Sequence, residues 1–155
     1  GWQYVLLAYH NEARSSRRAG PLELDEKLGR VAQDYADWMA QFARLPADHA
    51  GGTGNTMLPG RVYAHGFRFS VVGENAARGQ RTPDLVFDGW MGSPPHYRNV
   101  VRHYYSRVGF GMAIGSDGHP YWCAVYAWPA TADQTFACGP DWTPPALDAL
   151  APEME

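Results

Sequence analysis

Charge is scarce in this sequence. Only 19% of its 155 residues are charged, against 45% apolar and 14% aromatic residues, which excludes a disordered, self-repelling chain. Basic runs are equally scarce. The densest, Arg14, Arg17 and Arg18, is too short for an electrostatic footprint on nucleic acid. It reads as the solvated face of a helix, and with a formal charge of −3 nucleic acid is not the expected partner. No run reaches the roughly 18 apolar residues of a membrane-crossing helix, so no membrane span is expected. Repeats and low-complexity tracts are absent, and the length suits one domain. The chain begins at Gly1 rather than Met, so it is expected to be a processed or excised piece whose signal peptide is gone. Cysteine is nearly absent: only Cys123 and Cys138 occur. One disulfide tying the C-terminal tail to a strand would suit an oxidising compartment. Two buried thiols are the other reading, and the spacing does not choose between them.

What is present is periodicity. "WQYVLLAYHNEARSSRRAG" opens apolar, turns basic and stops at Gly20-Pro21, which predicts a helix. In "DEKLGRVAQDYADWMAQFA" the residues Leu28, Val31, Ala32, Tyr35, Ala36, Met39, Phe42 and Ala43 recur at steps of three and four. That is an amphipathic helix, with Asp25 as its N-cap. A Gly- and Pro-rich loop follows, then a short helix at 61–65 closed by Gly66. "FRFSVVGENAARG" reads as a strand running into a polar segment. Thr82-Pro83 and Ser93-Pro94 each signal a helix start. Val108, Phe110, Met112 and Ile114 alternate with Arg107, Gly109, Gly111 and Ala113. With Asp117-Gly118 and "PYWCAVYAW", this predicts a β-hairpin. Helices first, one strand between helices and a hairpin last imply an α+β fold with an antiparallel sheet covered by helices.

Three side chains occupy unusual backbone settings. His49 lies in the loop "ADHAGG". Glu74 follows the apolar pair Val71-Val72, where a carboxylate is expensive to bury without partners. His96 stands at the third position of a helix whose first turn is fixed by Pro94 and Pro95. Two imidazoles and a carboxylate can ligate zinc with an open position, or move protons near neutral pH. The separations of 25 and 22 residues match no short metal motif, and HExxH is absent. Blander roles stand beside these. His49 reads more simply as an exposed loop histidine, and Glu74 equally as an organiser of its own turn. Ser93 reads most simply as an N-cap worth roughly 1 kcal/mol. His10, His65, His103 and His119 read as structural, His65 by pairing with the last carbonyls of a helix.

Taken together, "YHNEAR", "LELDEKLGRVAQDYADWMA", a loop histidine, "GENAARGQ", "WMGSPPHYRN", "VGFGMA" and "PYWCAVYA" resemble the CAP superfamily. It takes in cysteine-rich secretory proteins, antigen five and pathogenesis-related proteins of class one, and the nearest resemblance is to the bacterial SCP-like extracellular branch. The resemblance covers roughly residues 4–128. It implies an α-β-α sandwich with a central antiparallel sheet, formed by a domain at 1–130 with a tail at 131–155 packed on it. It also implies a secreted or cell-surface location and a cleft lined by two histidines and acidic residues. The family's cleft histidines match His49 and His96, and the glutamate of its GEN motif matches Glu74. Ser93 stands where eukaryotic members carry a second acid, and Tyr97 where bacterial members often carry arginine. Ser93, Tyr97 and Asn75 are therefore expected at the cleft rim. Export favours a Cys123–Cys138 disulfide.

The resemblance does not by itself license an enzyme. The first expectation is a monomeric, secreted binding module whose His49–Glu74–His96 cleft holds a divalent cation, zinc foremost, or a small ligand. The second is a metal-assisted hydrolase of peptides or esters, with Glu74 or a histidine as general base. The third is an interaction domain for lipid, sterol or protein in which the cleft is not catalytic.

Overall fold

Asp25 starts the longest helix as its sequence pattern requires. In the computed structural model, which describes residues 1–131, its carboxylate accepts the Leu28 N–H at 3.0 Å, supplying one of the donors a helix start leaves unsatisfied. The helix, α2 (Glu26–Phe42), buries Leu28, Val31, Ala32, Tyr35, Ala36, Met39 and Ala40. Each large apolar side chain so buried contributes about 1.5–3 kcal/mol. The stripe gives out before the last turn, where Phe42 is 52% exposed.

Beneath α2 lies β3 (Arg107–Ile114). A Cβ on Gly109 would come within 2.1 Å of the Leu28 carbonyl carbon, and one on Gly111 within 2.5 Å of that of Ala32. The glycines let the helix backbone rest on the strand, while Val108 and Phe110 enter the core on the other side of the sheet. The alternation that predicts a strand therefore also records a close helix crossing. β4 (Pro120–Pro129) and β2 (Phe69–Arg78) complete the sheet in the order β1-β3-β4-β2. Its three long strands are antiparallel, as expected. The two-residue β1 (Glu23–Leu24) adds a parallel edge beside β3, absent from the sequence reading. β2 also runs on through the whole GENAAR segment, which had read as a polar continuation.

α1 (Trp2–Ser15), α4 (Pro83–Met91) and α5 (Pro94–Val101) cover one face of the sheet, while α2 and α3 (Leu58–Ala64) cover the other. One core packs Val31, Tyr35, Met39, Val72 and Val125 under α2. The second packs Leu6, Trp90, Phe110, Trp122 and Tyr126 under α1 and α4. The result is the expected α-β-α sandwich. The residues beyond 131, with the tail expected to pack on the domain and Cys138, lie outside the described residues.

The basic run that ends α1 is not a solvated face throughout. Arg17 and Arg18 are exposed, but Arg14 is fully buried. Its guanidinium donates to the carbonyls of Gly20, Val100, Arg102 and Tyr105 at 2.7–3.0 Å. These include carbonyls at the end of α5, which a helix terminus leaves unpaired, so Arg14 fastens α5 to the body of the protein.

Candidate functional site

β2 is an edge strand, and consecutive residues on it point to opposite faces. Glu74 therefore enters the layer between the sheet and α2/α3, and Asn75 the layer under α5. Glu74 is 3% exposed, and its carboxylate has all its acceptor positions occupied. Oε1 accepts from His49 Nδ1 at 2.7 Å and from Arg61 Nη2 at 2.9 Å. Oε2 accepts from Arg61 Nη1 at 2.9 Å and from the Cys123 thiol at 3.3 Å. The arginine pairing is the bidentate fork that suits a carboxylate. Burial by itself would raise the Glu74 pKa, but the Arg61 charge and the His49 and Arg61 hydrogen bonds outweigh it and bring it down to about 2. The carboxylate is thus ionised, and an ionised carboxylate only accepts. His49 Nδ1 must therefore carry a proton, and in the neutral tautomer so fixed the lone pair falls on Nε2.

His49 reaches this position from a residue of left-handed backbone, φ 58°, a conformation that costs a non-glycine residue roughly 1–2 kcal/mol. Its surroundings hold it there. Arg61 Nη2 also donates to the His49 carbonyl at 3.0 Å. Further along the same loop, Thr53 is tied to Asp34 of α2 through its hydroxyl at 2.7 Å and its N–H at 3.2 Å. The Arg61 guanidinium lies 3.8 Å from the Tyr35 ring centroid, and Tyr35 in turn stacks on Trp38. Arg61 is the residue the sequence reading missed. Leu58, Arg61 and Val62 are the buried residues of α3; an arginine on a buried stripe at helical spacing is itself a signal that a carboxylate lies opposite.

Asn75 organises the other side. It is fully buried rather than on a rim. Its Nδ2 donates to the His96 carbonyl at 3.0 Å and to the Tyr126 hydroxyl at 3.3 Å. Asn99 of α5 donates to the Glu74 carbonyl at 3.1 Å and to Asn75 Oδ1 at 2.9 Å. α5 is thereby fastened to the outer edge of β2. Gly73 makes this possible, since a Cβ there would stand 2.4 Å from the Tyr105 hydroxyl and 2.9 Å from Asn99 Oδ1. Ser93 holds the N-cap position of α5 but its side chain makes no cap bond; Pro95 has no N–H to offer it. The hydroxyl lies instead 2.8 Å from His96 Nδ1. Tyr97 is half-buried, and its hydroxyl accepts from Arg17 Nε.

The structure therefore joins His49 to Glu74 directly and ties His96 to the same strand through its backbone. Among the described residues, no three His, Cys, Asp or Glu side chains form a group able to hold a metal ion. The donor set gives the reason: Glu74 is saturated by its own partners, so it does not fit as a direct ligand. The expected Cys123–Cys138 disulfide involves Cys138, which lies outside the described residues. Cys123 is a buried free thiol that donates to Glu74, and burial followed by the adjacent carboxylate raises its pKa well above the usual thiol range.

The sequence profile of the cysteine-rich secretory protein family, CAP, matches residues 7–126. The chain is 29% identical over 101 residues to the uncharacterised protein YkwD of Bacillus subtilis, a match covering 65% of this chain and 38% of that relative. It thus spans about two-fifths of the relative's length. Among solved structures, an outer surface protein of Borrelia burgdorferi superposes with a TM-score of 0.73 at 20% identity, over 82% of this chain and 92% of that one. An extracellular SCP-domain protein of Bacillus anthracis superposes with a TM-score of 0.70 at 19% identity, over 81% of this chain and 39% of that one. At such identities the structural likeness concerns the fold.

Proposed function

The chain belongs to the CAP, or cysteine-rich secretory protein, family, and from that premise we propose that it is an extracellular binding module whose ligand is met by the imidazoles of His49 and His96. One observation carries the reading: the Arg61–Glu74–His49 relay, with contacts of 2.9 and 2.7 Å. An ionised, saturated carboxylate that holds Nδ1–H of a histidine does what an outer-shell partner does at a ligand site. It fixes ring and tautomer and makes the Nε2 lone pair a better metal ligand or hydrogen-bond acceptor. The extracellular setting is supported by the surface and extracellular descriptions of the two structural neighbours.

Within this reading a divalent cation such as zinc would rest on the two imidazoles, with Glu74 acting through His49. Calorimetric titration with zinc then gives a stoichiometry of about 1:1. An isotherm unchanged in a His49→Ala/His96→Ala variant contradicts the proposal. The Ser93 hydroxyl at 2.8 Å from His96 Nδ1 gives a hydrolase reading its one specific support. Peptide or ester cleavage lost in both Ser93→Ala and Glu74→Gln would move the assignment to that class.

A further inference from the structure

Four basic side chains from three separate parts of the sequence, Lys27 and Arg30, Arg68, and Arg107, line one cavity of about 530 Å³. It lies where α2 and β3 begin and β4 ends, floored by Leu24, Phe67 and Pro129, and includes none of the residues of the Glu74 cluster. Its lining sets four cations against two acids, Asp25 and Glu26. Asp25 is occupied: one oxygen caps α2 and the other lies 3.9 Å from Arg107. Arg107 is further shared with Glu23 at 3.7 Å. Lys27 spends one donor on the Gly66 carbonyl at 3.2 Å and has two more. Arg30 and Arg68 have no ion pair among the described residues. Arg68 only leans on the Tyr63 ring, 5.3 Å from its centroid.

We infer that this cavity is a binding site for a small soluble anion bearing two or more phosphate or sulfate groups. Guanidinium forks match the oxygens of such groups in pairs. The volume falls in the range of small-molecule sites, roughly 300–1,000 Å³, with room for more than one anionic group.

Tripolyphosphate is the probe, titrated calorimetrically into the whole chain. Saturable binding is expected at low ionic strength, falling as salt approaches about 200 mM. An Arg30→Ala/Arg68→Ala variant should bind at least about tenfold more weakly with an unchanged circular dichroism melt, because neither guanidinium holds up the fold. A His49→Ala/His96→Ala variant should bind as the parent does. The inference is overturned if tripolyphosphate does not bind saturably, or if the arginine variant keeps its affinity within about twofold. Loss of binding in the histidine variant would overturn it too, as would capture by vesicles of anionic phospholipid without tripolyphosphate binding, since the chemistry would then be that of a membrane surface.

Discussion

Glu74 and Asn75 are neighbours on one strand, yet they anchor two unlike polar clusters on opposite faces of the sheet. On the α2/α3 face Glu74 is ionised against Arg61 and holds His49. On the α1/α5 face Asn75 works among neutral groups. There the Tyr126 hydroxyl lies 2.7 Å from His10 Nε2, and His10 Nδ1 donates to the Leu6 carbonyl at 2.8 Å. His10 is completely buried, and burial, aided by the Arg14 charge, lowers its pKa to about 4, so at neutral pH it is uncharged. The contrast teaches how His49 and His96 are each held. His49 is gripped through its ring by a buried charge pair. His96 is placed through its backbone by amides and a helix, and the Ser93 hydroxyl lies against its ring.

The largest expected effect breaks the charged side. Arg61→Met leaves the Glu74 carboxylate buried without its cation and should lower stability by about 3–5 kcal/mol in urea denaturation. Adding Glu74→Leu should recover most of that loss, because a packed apolar pair replaces a buried ion pair at little cost. A single variant near wild-type stability would show that water or another cation already serves Glu74.

Acid separates the two clusters next. The folded pKa of His10 is about 4 against an ordinary 6.5, so between these values the unfolded chain binds a proton that the folded one refuses. The His10 contribution is therefore whole above pH 6.5 and lost as pH falls toward 4, by up to about 3 kcal/mol. Glu74, depressed from 4.5 to about 2, loses its contribution in the lower window, as pH falls from about 4.5 to 2. Stability measured against pH should fall in these two stages, and His10→Gln should flatten the upper one alone.

Neutral contacts come third. Asn99→Ala unties α5 from β2 and should cost about 1–3 kcal/mol. Its signature is selective: the ring resonances of His96 shift, while those of His49 stay. The smallest effect concerns Ser93. Thr82 is a true cap, its hydroxyl accepting from Leu85 N–H at 3.2 Å, so Thr82→Ala should cost about 1 kcal/mol. Ser93→Ala should cost less than about 0.5 kcal/mol, since no cap bond is lost. Equal costs in thermal melts would restore Ser93 to the capping role that its place before two prolines suggests.

Local patterns were legible and long-range pairings were not. The α2 stripe, the Asp25 and Thr82 caps and the Asp117-Gly118 hairpin depend on neighbours a few residues apart, and each could be read in advance. Arg14 read as solvent-facing because its partners, Val100, Arg102 and Tyr105, lie more than eighty residues away. Arg61 was missed because its carboxylate is on another element. His49 and Glu74 were found as residue types, but the saturation of Glu74, which turns a ligand into an orienting group, exists only in three dimensions. The cavity of Lys27, Arg30, Arg68 and Arg107 leaves no basic run in the sequence.

The central claim is that Glu74 is an ionised acceptor that fixes His49 with its proton on Nδ1. Two-bond nitrogen–proton correlation spectra of the ¹⁵N-histidine-labelled protein near pH 8, where an unperturbed imidazole is neutral, read the tautomer directly. The account predicts the Nδ1–H form for His49, changing in Glu74→Gln; an Nε2–H form in the parent protein would contradict it.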